Sequence, residues 1–208
     1  MDFTAIDFET ANYKKTSACS IGITTVEDSR ITGTEHHLIR PYPDYFTASN
    51  IDVHGIRAAD VAHAPTFDEL WPQIRHHFDG RIVAAHWASF DMGVLTSVLD
   101  HYGLPYPEMD IICSCLMARS AFPQLANHKL NNVCTYLDIP LQHHRADSDS
   151  AGSAAIILNV LNRRGIQTLD DIERELGVMP GSMHGGKYIS AKGPRGRRKR
   201  QQVSRTPT

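Results

Sequence analysis

The chain is 208 residues long and carries 21 Lys+Arg against 23 Asp+Glu, a formal net charge of −2. With 41% hydrophobic and 21% charged residues it can pack a core, which excludes wholesale disorder. No apolar run approaches the roughly 20 residues that span a bilayer. The acidic start, Met1 to Asp7, lacks the basic n-region of a secretory leader, so none is expected.

Residues 2–8 alternate apolar positions and run into Asp7-Phe8-Glu9-Thr10, which predicts a strand with an acidic end. Ser20 to Val26 and Ile31 to Ile39 predict two more strands, separated by the turn-forming Glu27-Asp28-Ser29-Arg30 and stopped by Pro41. Phe67, Leu70, Trp71, Ile74 and Phe78 share one helical face, so Trp71 is expected in the core. Thr66 and Glu69 form a capping box ahead of that helix, and Gly80 ends it. Arg81 to His86 reads as a buried strand and Phe90 to Tyr102 as a helix stopped by Gly103, with Phe90 expected in the core. Further helices are predicted over 116–122, 130–137, 150–161 and 169–176. Strands, a helix, a strand and more helices in this order predict an α/β domain with a mixed sheet, an antiparallel meander joined to parallel strands.

Beyond Pro180 the composition turns to Gly, Ser, Lys and Arg. Residues 1–180 hold 13 basic and 23 acidic residues; residues 181–208 hold eight basic and none acidic. We therefore expect a domain over 1–180 and a flexible basic tail over 181–208, which either contacts phosphates or is an inert extension. Cys19, Cys113, Cys115 and Cys134 match no usual zinc or C-x-x-C spacing and are expected as reduced, buried thiols of a cytoplasmic protein.

Three acidic positions stand at the ends of predicted core elements. Asp7 and Glu9, two apart on a strand, face the same way, and two adjacent carboxylates repel unless a cation lies between them. Asp91 follows the strand at 81–86. Asp147 and Asp149 lead into the small-residue helix Ala151-Gly152-Ser153-Ala154-Ala155, which can approach a sheet closely, and His143 and His144 lie in the loop before it. Each acid alone also fits a solvated strand end, a helix-dipole partner or an N-cap. Brought together, Asp7, Glu9, Asp91 and Asp149 would form an all-oxygen pocket suited to Mg²⁺ or Mn²⁺ rather than zinc.

These motifs resemble those of the DEDDh 3′-to-5′ exonucleases, the DnaQ-like group of the proofreading epsilon subunit of bacterial DNA polymerase III. Asp7-Phe8-Glu9-Thr10 is similar to the first motif, D-x-E. His86-Trp87-Ala88-Ser89-Phe90-Asp91 is similar to the second, H-N-x-x-F-D, and His144 to Asp149 to the third, H-x-x-x-x-D. Val53-His54-Gly55-Ile56, with Ala64-Pro65-Thr66-Phe67, is similar to the segment between the first two motifs, so the resemblance covers about residues 2–163. It implies a ribonuclease H-like sheet and metal-dependent phosphodiester hydrolysis releasing nucleoside 5′-monophosphates. Asp7, Glu9, Asp91 and Asp149 would hold two Mg²⁺ or Mn²⁺ ions, and His144 would take a proton from water. Phe8, Thr10 and His54 would lie near the terminal nucleotide. The implied partner is a nucleic acid with a free 3′ end, single-stranded DNA foremost, with a polymerase or repair protein alongside and no membrane. An RNA-trimming enzyme and an inactive binding module on the same fold are the alternatives. The chain departs from the family at Trp87, where Asn is usual, a change that bears on packing or substrate contact.

Overall fold

The computed structural model describes residues 1–194; the basic run from Arg195 to Arg200 lies outside the described residues. Seven strands form one sheet: β1 (Phe3–Thr10), β2 (Ala18–Glu27), β3 (Arg30–Leu38), β4 (Arg81–Ala85), β5 (Met109–Cys113), β6 (Gly181–His184) and β7 (Lys187–Ile189). Their order is β3-β2-β1-β4-β5-β6-β7. β1 to β3 pair antiparallel, β1, β4 and β5 pair parallel, and β6 and β7 add an antiparallel hairpin at the far edge. The mixed sheet expected from the sequence is thus present, with a meander on one side and parallel strands in the middle.

Helices cover both faces. On one lie α3 (Phe67–Ile74), extended by a 3₁₀ turn at Arg75–His77, and α4 (Ala88–Tyr102). Ile6 and Phe8 of β1 pack there with Phe67, Leu70, Trp71, Met92 and Leu95. The capping box expected at α3 forms, with the Thr66 amide donating to Glu69 Oε2 at 2.8 Å. On the other face lie α5 (Ser114–Ala121), α6 (Leu130–Tyr136), α7 (Ala146–Arg164) and α8 (Leu169–Leu176). Phe3 and Ala5 pack there with Ile112, Ile156, Ile157 and Val160. The period of two along β1 therefore turns Asp7 and Glu9 toward the face that α7 covers. Two short helices, α1 (Ala48–His54) and α2 (Ala58–Val61), lie in the crossover from β3 to α3.

The boundary expected at residue 180 is corrected. Gly181 to Ile189 belong to the sheet, because Met183 pairs with Met109 and is fully buried in the α3–α4 core. A second correction concerns α7, which begins at Ala146 rather than Ser150 and so carries Asp149 in its first turn. All four cysteines are free and buried. Among the described residues no helix is long and apolar enough to cross a membrane.

Candidate active site

β1 runs on beyond its pairing with β4, and the Phe8 amide at that point donates to Asp91 Oδ1 at 3.0 Å. Asp91 sits in the first turn of α4, where the helix N-terminus favours a carboxylate. It is 1% exposed, so it joins α4 to β1 from inside the core. The Phe8 side chain points the other way and is 2% exposed, in contact with the Phe67 ring. Phe8 thus borders the carboxylate cleft with its side chain turned into the core.

Asp149 arrives from α7. Gly22 stands opposite Asp7 in the β1–β2 ladder, and a Cβ on Gly22 would lie 2.0 Å from the Ala146 carbonyl oxygen. That missing methyl lets the helix start rest directly on the sheet. Thr24 and Ser150 add a hydroxyl–hydroxyl bond of 2.8 Å between β2 and α7. Gly152, expected to serve close sheet packing, instead faces Leu141 and Cys134.

One carboxylate oxygen from each of Asp7, Glu9 and Asp149 lies within 4.8 Å of the other two. Burial pushes the Asp7 carboxyl well above its ordinary range, and the charges of Asp91, Glu9 and Asp149 push it further. Burial, then Asp149 and Asp91, raise Glu9 to about 8. Burial also raises Asp91 to about 8, against the pull of the Phe8 amide. Asp149 is raised by burial, against the His144 amide and His143. Among the described residues no Lys or Arg forms an ion pair with any of the four; Asp149 pairs only with His143, Nδ1 to Oδ2 at 3.0 Å. Four crowded carboxylates without a Lys or Arg partner fit hard divalent cations with oxygen ligands.

The two histidines divide their roles by atom. His143 bonds Asp149 through its ring, whereas His144 does so through its backbone amide at 2.9 Å. His144 has φ +69 and its ring stacks on that of His143 at 3.8 Å. The His144 ring forms no hydrogen bond among the described residues, and burial and His143 hold its pKa below the usual imidazole value. Asp147 turns outward to Arg145 and takes no part.

Two clefts adjoin the carboxylates. One of about 460 Å³ is bordered by Asp7, Glu9, Asp149, Trp87, Phe90 and Lys129. The other, about 440 Å³, is bordered by Glu9, Thr10, Asn50, Val53, His54 and Phe90. The Thr10 carbonyl accepts from Asn50 Nδ2 at 2.8 Å and from His54 Nε2 at 3.1 Å, while His54 Nδ1 accepts from the Ile56 amide at 3.0 Å. Both ring nitrogens of His54 are thereby engaged, and the ring offers a ligand a packing surface rather than a hydrogen bond. Phe90, expected in the core, is 44% exposed and separates the two clefts. Trp71 is core, as expected.

The family model for RNase T, described as exonuclease, matches residues 4–157. The chain belongs to this family of DnaQ-like, DEDDh-type 3′-to-5′ exonucleases. A PolC-type DNA polymerase III of Bacillus cereus is 31% identical over 135 residues, 63% of this chain and 9% of that protein. The 3′-5′ exonuclease DinG of Staphylococcus haemolyticus is 25% identical over 147 residues, 69% of this chain and 16% of that protein. The chain thus corresponds to a small part of the length of either relative. Exonuclease X in complex with 5′ overhanging duplex DNA superposes with a TM-score of 0.68 at 25% identity, over 84% of this chain and 99% of that one.

Within this exonuclease fold, sequence reasoning missed several residues at the clefts. Lys129, the one Lys or Arg bordering the carboxylate cleft among the described residues, precedes α6. Its loop is held by His86, whose Nε2 donates to the His128 carbonyl at 2.9 Å and whose Nδ1 bonds Ser114 Oγ at 2.8 Å. Burial lowers His86 to about 4, so it stays neutral and structural. Trp87 occupies the left-handed region, φ +70 and ψ +48, at the turn from β4 into α4. That conformation costs a bulky residue roughly 1–2 kcal/mol and is one that Asn adopts readily.

Proposed function

We propose that this chain is a divalent-metal-dependent exonuclease acting on the 3′ ends of DNA and releasing nucleoside 5′-monophosphates. The observation that carries this reading is the convergence of Asp7, Glu9 and Asp149 within 4.8 Å, beside Asp91 and an open cleft. Mg²⁺ or Mn²⁺ bound there would make a water acidic and offset charge on the scissile phosphate. Asp7, Glu9, Asp91 and Asp149 hold the ions. His144, exposed at the rim with a free ring, takes the proton from the attacking water. Thr10, Val53, His54 and Phe90 pack around the terminal nucleoside, and Lys129 faces the phosphate backbone. DNA is favoured over RNA because the PolC-type, DinG and Exonuclease X relatives are DNA polymerases or exonucleases by name, the last seen with DNA. A polymerase or repair protein is the partner class that fits the PolC likeness. The free, buried thiols suit a reducing cytoplasm.

The test uses purified protein with end-labelled single-stranded DNA, duplex DNA and RNA, in Mg²⁺, Mn²⁺ or EDTA. A ladder shortening from the 3′ end, abolished by EDTA and by Asp7→Ala, is expected, with DNA cut faster than RNA. Full activity in Asp7→Ala protein would overturn the assignment.

A further inference from the structure

Trp87 is neither buried nor relaxed. It is 51% exposed, although it sits where a bulky side chain is strained. One side of the indole faces Arg119, whose guanidinium carbon lies 5.1 Å from the ring centroid. The ring borders both the cleft of the carboxylates and a smaller pocket of about 150 Å³ that contains Arg119, so it stands as the wall between them. An indole held in this way gains little for folding. A strained, exposed aromatic beside a reaction centre is accounted for when a ligand covers it.

We propose that Trp87, braced by Arg119, is a stacking platform for an unpaired base of the nucleic-acid substrate next to the metal-ligating carboxylates. The inference rests on the nuclease reading above and deepens it. Every base has a π-face, so such a platform is indifferent to sequence. It does require a base free of its own partners, so it selects single-stranded or frayed 3′ ends over paired ones. Arg119 fixes the ring by a cation–π contact from the side of the smaller pocket, which leaves the other side of the indole to the cleft.

The test compares wild type with Trp87→Ala, Trp87→Asn and Trp87→Phe on oligo(dT) and on the p-nitrophenyl ester of thymidine 5′-monophosphate, which has no second base. Trp87→Ala and Trp87→Asn should raise KM for oligo(dT) by roughly 5- to 150-fold, the worth of one stacked base, with kcat changed far less. Their kcat/KM on the ester should fall less than on the oligonucleotide. Trp87→Phe should recover most of the affinity. Asn relieves the backbone strain but cannot stack, so its grouping with Ala separates stacking from folding. Equal losses on both substrates, or an unchanged KM, would overturn the platform. Fluorescence gives a readout independent of turnover, because Trp71 is buried and Trp87 is exposed. In His144→Ala protein with Mg²⁺, oligo(dT) should quench emission, and the quench should vanish with Trp87→Phe. A quench in a wild type that cuts neither substrate would sink the nuclease reading while leaving the platform standing. Cutting without a quench would do the reverse.

Discussion

Gly22 and Ala146 meet where no side chain fits between them: a Cβ on Gly22 would come within 2.0 Å of the Ala146 carbonyl oxygen. Three residues further along α7 is Asp149, and across the ladder from Gly22 is Asp7. The glycine therefore sets the distance between two carboxylates that, on the proposed reading, share a cation. Gly22→Ala should lower stability by about 1–3 kcal/mol, as overpacking does, and weaken Mn²⁺ binding in the same protein. Thermal melts with a Mn²⁺ titration check both; an unchanged metal affinity would mean that α7 shifts without cost to the site.

Metal-free protein should lose stability as pH rises. Glu9 and Asp91 titrate near 8 when folded but have ordinary values of 4.5 and 3.8. Across that window the folded chain keeps protons that the unfolded chain has shed, so unfolding gains on folding as pH climbs toward 8. Melting temperatures in EDTA should fall from pH 5 to pH 8. Mg²⁺ or Mn²⁺ should raise them more at pH 8 than at pH 5. A melting temperature in EDTA that rises across this range would contradict the crowding of the four acids.

Replacing Asp7 by Asn should separate stability from activity. It removes a buried acid whose ionisation the fold opposes, so at pH 8 in EDTA the variant should melt above wild type. Hydrolysis should nevertheless be lost. A variant that melts lower at pH 8 would show that the Asp7 charge is compensated in the metal-free state.

The stacked histidines should behave differently. His144→Ala should cut turnover by ~10²–10⁴ with metal affinity kept, since only its amide touches Asp149. His143→Ala removes the ring bonded to Asp149 and should weaken metal affinity by roughly 10- to 100-fold. Swapped phenotypes would assign the proton acceptor to His143.

Much of the site was legible because its chemistry sits at element ends. The period of two put Asp7 and Glu9 on one face, and the strand-to-helix switch placed Asp91. β5 was not legible, since Met109-Asp110-Ile111-Ile112-Cys113 is short, contains an acid and runs straight into α5. The β6–β7 hairpin has the Gly-, Ser- and Lys-containing composition of a tail. Its turn residues Gly185 and Gly186, at φ +57 and +71, are the Gly-Gly pair that marks a two-residue hairpin and could have found it. Phe90 differs from its expected core position because an apolar residue in a helix's first turn overhangs whatever lies at the strand ends, here a cleft. Asn50 and Lys129 act through tertiary placement that no spacing rule encodes.

The basic run begins just past the described residues. Ala191 borders the pocket shared by Trp87 and Arg119, and Pro194, the last described residue, lies by Gly177. Truncation after residue 194 should flatten the salt dependence of DNA binding, because fewer phosphate counterions are released. An identical slope in full-length and truncated protein would make the run inert.

The docking of α7 across β1 and β2 has a consequence for the timing of activity. Asp149 is synthesised 142 residues after Asp7. A nascent or C-terminally clipped chain that ends before α7 has no complete set of acids. On the proposed reading, hydrolysis requires α7 docked on β1 and β2, so copies that lack α7 leave the nucleic acids around them intact.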